Sequence, residues 1–274
     1  MSGVRMMSKM ILAVLTVGLM NQAHAEPDDV TLKLELQRIA RQKIVFGHQS
    51  VGMNILEGIR KISSRSGIPL QIAEINSIDE VNAPMIAHSF IAENEHPDKK
   101  LGSFTRLLES KHHEADLAFM KFCFIDFKPD TDAKGLFAQY SKTMEKLESA
   151  HPNTIFIHVT TPLHVVEGGP MATIKYWLGL SPLYGTRENL RREEYNEMLR
   201  QKYLGHEPIF DLAKIESTRP DGKVEKVEWG GRTIPVLVPE YSSDGGHLNE
   251  EGAELAARGL ISVLASVPGH SGRK

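Results

Sequence analysis

Short apolar runs alternate with longer stretches whose apolar residues recur every three or four positions, and this rhythm governs most of the chain. Five runs have strand length: Lys43–His48 (KIVFGH), Pro69–Ile75 (PLQIAEI), Asp116–Asp126 (DLAFMKFCFID), Thr154–Thr160 (TIFIHVT) and Pro208–Ala213 (PIFDLA). Between them the spacing predicts helices over Val51–Ser64, Ser103–Ser110, Asp132–Ala150, Arg187–Tyr203 and Asn249–Leu264, with a further helix near Val30–Gln42 leading into the first strand. Strands separated by helices require right-handed crossovers and a mainly parallel sheet covered on both faces. Ligands of such sheets gather at the carboxyl ends of the strands, so the residues just past each strand are the first place to look for chemistry. Two stretches break the rhythm. Thr161–Gly185, rich in Gly and Pro, predicts a long loop after the fourth of these strands, and Glu216–Glu240 predicts a hairpin insertion turning at Gly230-Gly231. No repeat, low-complexity tract or linker divides the chain.

With 274 residues, 41% hydrophobic and 24% charged, the chain is long enough for one substantial core. Its first 25 residues carry Arg5 and Lys9, then an uncharged apolar run from Met10 to Met20, then Ala23-His24-Ala25 with small residues at the two positions that set cleavage. That pattern predicts a secretory signal peptide over residues 1–25, too short to span a bilayer comfortably, and a single domain over 26–274. The expected location is periplasmic or secreted, with no stable membrane span after cleavage. Loss of residues 1–25 removes two cations and no acid, so the formal charge moves from −3 to −5. An acidic mature chain is a poor partner for nucleic acid, where Lys and Arg supply most of the affinity. Cys123 is the only cysteine, so no intrachain disulfide forms and the core carries the stability. It reads as a buried small hydrophobe. Neither a metal nor another cofactor is expected: His112 and His113 point to different helix faces, and His158 with His164 lacks a third ligand at suitable spacing. Trp177 and Tyr184 lie in the long loop, where aromatic side chains line a substrate cleft or pack the loop itself.

Two places past strands carry candidate chemistry. Ser50 follows the first strand and opens a helix, so its hydroxyl is either a helix cap or a nucleophile standing among helix amides. In "SSDGGHLNEEG", Asp244 and His247 sit three residues apart across two glycines, just before the last helix. Asn249, Glu250 and Glu251 are accounted for by capping and by the positive helix terminus, but Asp244 and His247 are not. A serine hydroxyl becomes a good nucleophile when an imidazole takes its proton, and the imidazole needs an acid to fix its tautomer. The parallel sheet puts both groups on one edge.

From these residues the chain resembles the SGNH hydrolases, also called the GDSL esterase/lipase superfamily. The closing block "SSDGGHLNEEGAELAARGL" carries the likeness, supported upstream by "RREEYNEMLRQKYLGHEPIFDLAKIES". The resemblance implies a three-layer α/β/α sandwich with a mainly parallel sheet, and metal-free ester hydrolysis or acyl transfer on a small-molecule or glycan ester. It puts Ser50 on the nucleophile, His247 on the base and Asp244 on the orienting acid. Three departures accompany it. Gln49 stands where the family has the aspartate of Gly-Asp-Ser, Gly102 is the nearest counterpart of an oxyanion-binding glycine, and no asparagine follows the central strand. Lys121, Cys123 or Asp126 of "MKFCFID" occupies that last space, with Lys121 as the candidate oxyanion donor. The alternatives that share the fold are an O-acyltransferase of a cell-envelope polysaccharide and a carbohydrate-binding protein with little or no activity.

Overall fold

The computed structural model describes residues 27–110, 112–166, 178 and 185–268. Residues 1–25, where a signal peptide is expected, and Trp177 and Tyr184 lie outside the described residues.

The chain runs through α1 (Pro27–Ile39), β1 (Lys43–His48), α2 (Val51–Ser66), β2 (Ile72–Glu74), β3 (Met85–Phe90), α3 (Pro97–Leu108), β4 (Leu117–Met120), α4 (Ala133–Ala150) and β5 (Ile155–Val159). It continues with α5 (Thr186–Tyr203), β6 (Ile209–Phe210), α6 (Leu212–Ser217), the strands β7 (Lys226–Trp229) and β8 (Arg232–Pro235), and α7 (Glu250–Ser266). Six strands form one sheet in the order β2-β3-β1-β4-β5-β6, and every pair in it is parallel. The pleat divides β1 between two cores. Ile44 and Phe46 face α1, α2 and α7 with Ile55, Ile59, Ala257 and Leu260, while Val45 faces α3, α4 and α5 with Phe104, Tyr140 and Tyr195. The result is the expected three-layer α/β/α sandwich. No helix among the described residues is long and apolar enough to cross a membrane.

Strand order locates the site. From β1 the chain crosses to the outer strand β2, returns to place β3 between β2 and β1, and then adds β4 on the other side of β1. The order reverses between β1 and β4, which opens a crevice beyond their carboxyl ends. Ser50 leaves β1 on one wall and Lys121–Cys123 leave β4 on the other.

The hairpin insertion is present, with Gly230 and Gly231 both at positive φ (57° and 76°) in a two-residue turn. One strand lies where no strand was expected: β3 pairs with β1 over six residues, from Lys43↔Met85 to His48↔Phe90. Two runs are shorter as strands than their apolar length. The run at Asp116–Asp126 stops pairing at Met120 and turns through a 3-10 helix at Phe124–Asp126, and the run at Pro208–Ala213 yields two strand residues before Asp211 caps α6 by accepting the Lys214 N–H.

Candidate active site

Ser50 occupies the N-cap position of α2 but does not cap it. Its side chain makes no bond to the helix, and its backbone sits at φ 30°, ψ −93°, a conformation that a residue with a Cβ holds only when its surroundings impose it. The hydroxyl instead meets Cys123, with Oγ and Sγ 3.3 Å apart. The N–H groups of Ser50 and Val51 donate to no acceptor among the described residues, as expected at a helix start. Beneath Ser50, His48 is fully buried with Nε2 3.2 Å from Nδ1 of His88. Burial first, then the positive charge of Lys121, pushes His48 down to about 3, so it is a neutral core histidine.

Gln49 ties the next wall to the segment that carries Ser50. Its amide donates to the carbonyl of Ala92 at 2.6 Å, and the Ile91 N–H returns to His48 O at 3.1 Å. The loop after β3 is thereby held beside Ser50 at Ile91-Ala92, and Ala92 itself is at φ 40°.

Asp244 and His247 form the pair that the turn implied. His247 Nδ1 donates to Asp244 Oδ2 at 2.6 Å, while Asp244 Oδ1 accepts the N–H of His247 at 2.8 Å and of Gly246 at 3.0 Å. A carboxylate only accepts, so a ring proton sits on Nδ1, which in the neutral ring leaves the lone pair on Nε2. Partial burial works to raise the Asp244 carboxyl, but the two backbone N–H groups and the facing imidazole outweigh it and hold the acid at about 2. Gly245 is needed for φ 93°, and a Cβ on Gly246 would overlap the Phe124 ring. The His247 ring packs edge-on against Phe124, with centroids 5.5 Å apart, next to Cys123 in the chain. Ser50 and His247 thus border the same short Cys123-Phe124 segment. No hydrogen bond joins them directly: the serine hydroxyl rests on the thiol. Asn249 performs the helix-start role expected of it, accepting the Gly252 N–H at 3.1 Å.

Two expected oxyanion groups are not where the sequence put them. Gly102 is the sixth residue of α3, where its N–H is spent on the helix ladder, because α3 starts at Pro97 rather than Ser103. The loop tied to the residues just before Ser50 is Ile91-Ala92 instead. Lys121 is fully buried, and its ammonium donates to the adjacent Phe122 carbonyl at 3.3 Å with no bond to Ser50. Of the three residues proposed for the space after β4, Cys123 faces Ser50 and Asp126 stands behind it. Asp126 Oδ2 accepts Lys100 Nζ at 2.6 Å and the Cys123 N–H at 2.7 Å, and Oδ1 accepts the Glu95 N–H at 2.8 Å.

A stripe of buried polar residues on α5 escaped sequence reasoning. Asn196 exchanges two bonds with the Thr161 backbone (2.7 and 3.1 Å), Asn189 two with that of His164 (3.0 and 2.7 Å), and Arg192 Nε donates to Phe124 O at 2.9 Å. Their spacing of three and four is the signal, since polar residues on the inward face of a helix must be satisfied. Together they hold the loops after β4 and β5 at the sheet edge, where the His164 ring also packs on Phe124, with centroids 5.5 Å apart. His158 and His164 do not share a site. His158 lies in β5, bonded to Tyr140 OH and to Glu207 at 2.8 Å each, and Glu148 completes a group whose ligand-type atoms lie within 4.8 Å of one another.

Glu216 braces the same region, accepting the Leu163 N–H at 2.6 Å from a fully buried position. Burial raises its carboxyl to about 8, against the opposing pull of the Leu163 N–H, Lys121 and Arg192. Between the ordinary carboxyl range and pH 8 the folded protein keeps a proton that the unfolded chain releases. This contribution is therefore full below about pH 4.5 and is lost as pH rises through about 8. Glu216→Gln has no such proton, so its melting temperature relative to the unsubstituted protein should climb between pH 5 and pH 9. A difference that does not change with pH would contradict the buried neutral acid.

No family model matches the chain, and no curated protein matches it. Solved structures do. A GDSL-like lipase from Bacteroides thetaiotaomicron VPI-5482 superposes with a TM-score of 0.50 at 11% identity, over 87% of this chain and 98% of that one. The fold is that of a GDSL-like lipase. Also similar are a structure assigned to the lipolytic G-D-S-L family from Desulfitobacterium hafniense DCB-2 (TM-score 0.46, 12% identity, 81% of this chain and 98% of that one) and the periplasmic domain of a lipopolysaccharide acetyltransferase from Salmonella ser. Paratyphi A (0.42, 13%, 85% and 88%). At 11% identity the likeness to the Bacteroides structure concerns the fold alone, and the chemistry is left to the residues.

Proposed function

We propose that the protein is an exported serine esterase that hydrolyses or deacetylates a small-molecule or glycan ester. Ser50 attacks the carbonyl carbon, His247 Nε2 accepts the hydroxyl proton and returns it to the leaving alkoxide, and Asp244 holds the imidazole through Nδ1. Water then repeats the sequence on the acyl-serine. One observation carries this reading: Ser50 is held in strained backbone at the reversal point of the sheet with its hydroxyl withheld from the helix it should cap. For reaction the hydroxyl must leave Cys123 and turn to His247, and hydrogen bonds of this kind commonly tighten only when substrate is bound. The resting bond to Cys123 in place of His247 favours, as a second reading, a carbohydrate-binding protein that kept the fold without the activity.

Acid release separates these readings. Aryl acetates and O-acetylated oligosaccharides should yield free acetate with the unsubstituted protein and none above background with Ser50→Ala. Acetate that appears only on an added sugar acceptor would make the protein an acyltransferase, and no acyl loss together with retained glycan affinity would make it a binding protein. Export follows from the leader, so protein from the native host should begin at Glu26 by mass spectrometry, and an intact Met1 segment in the cytosol would contradict it.

A further inference from the structure

Cys123 is held in place by more than its own packing. It is 1% exposed, and its N–H is fixed by Asp126, whose other bonds reach Lys100 on α3 and Glu95 in the loop after β3. This clamp delivers Sγ to 3.3 Å from Ser50 Oγ, across the crevice between β1 and β4. On the other wall the Ser50 N–H is unpaired among the described residues. A thiol is out of place as mere filling here, because it touches the one hydroxyl that the backbone has freed from capping.

We propose that the Cys123 thiol is a catalytic residue that donates its S–H to the oxyanion, together with the Ser50 N–H; this rests on Ser50 being the nucleophile. In the attack Oγ bonds to the carbonyl carbon, the Oγ proton passes to His247 Nε2, and the C=O electron pair moves onto oxygen. That oxygen and Oγ share one carbon, so a donor in contact with Oγ at rest is within reach of the oxyanion once the hydroxyl has turned away. Collapse restores the C=O bond and expels the alkoxide, which takes the proton from His247. The thiol loses no proton at any step. An S–H group is a weak donor, so its removal costs about tenfold in rate, below the 10²–10³ of a full amide donor.

The test compares unsubstituted protein, Cys123→Ala and Cys123→Ser, each corrected for folded fraction by its melting curve. The readouts are the rate at which a fluorophosphonate labels Ser50, whose P=O oxygen takes the oxyanion position, and kcat and KM for an aryl ester. Cys123→Ala should lower the labelling rate and kcat about tenfold with KM unchanged, and Cys123→Ser, with a stronger donor at the same place, should recover both. A packing role predicts that Ser, the more polar substitute, recovers neither. Cys123→Ala that is labelled at the unsubstituted rate overturns the thiol's role and leaves Ser50 as the nucleophile. Failure of the unsubstituted protein to be labelled at Ser50 overturns the nucleophile and the thiol's role together.

Discussion

His247→Ala should reduce kcat for an aryl ester by about 10⁴–10⁶-fold, and Asp244→Asn by about 10²–10⁴-fold, with the double variant within a few-fold of His247→Ala. The smaller loss at Asp244 follows from its setting: its side chain is 54% exposed, so solvent screens part of its effect on the imidazolium. Non-additivity follows from shared work, since an acid that only orients a base has nothing to orient once the ring is gone. An Asn side-chain oxygen can still accept the N–H groups of Gly246 and His247, so the Asp244→Asn turn should fold as before. The contrary view, that the pair merely shapes a helix start, predicts a stability loss on the order of 1 kcal/mol and unchanged turnover per folded molecule. Melting curves and turnover measured on the same samples separate the two, and wild-type kcat in folded His247→Ala would exclude the imidazole as the base.

Asp126→Ala should cost about 3–5 kcal/mol, a fall in melting temperature of about 6–20 °C. Both Asp126 and Lys100 side chains are 0% exposed, so the substitution strands a buried ammonium whose remaining partner is Asn94 Oδ1. It also releases the N–H groups of Cys123 and Glu95, the anchors of two loops at the site. Replacing both charges, as in Lys100→Met with Asp126→Leu, removes the stranded cation and should recover part of the stability, because a matched apolar pair often substitutes for a buried ion pair at little cost. A melting temperature for Asp126→Ala within two or three degrees of the unsubstituted protein, on the order of 1 kcal/mol for a domain of this size, would show that the clamp is not structural.

The parts legible in the sequence are those set by local pattern. KIVFGH reads as a strand at its observed bounds, the helix at Asp132–Ala150 differs from α4 by one residue, and the Gly230-Gly231 turn is where the two glycines put it. Strand β3 was hidden because His88 and Ser89 interrupt its apolar run; the structure buries His88 against His48, a pairing that only the sheet order creates. Gly102 was misplaced for a local reason, since Pro97 starts α3 a turn and a half before the apolar spacing does. The Asp244–His247 bond was readable because its partners lie three residues apart. The contact between Ser50 and Cys123 was not, because 73 residues separate them and nothing in either segment says that β4 crosses back to lie beside β1.

If Ser50 is an activated nucleophile, a serine-directed covalent probe must find it. Protein treated with a fluorophosphonate and digested should carry one adduct, on the peptide containing Ser50, and His247→Ala should abolish it. An adduct on another residue, or none on a protein that melts cooperatively, would exclude Ser50 as the nucleophile.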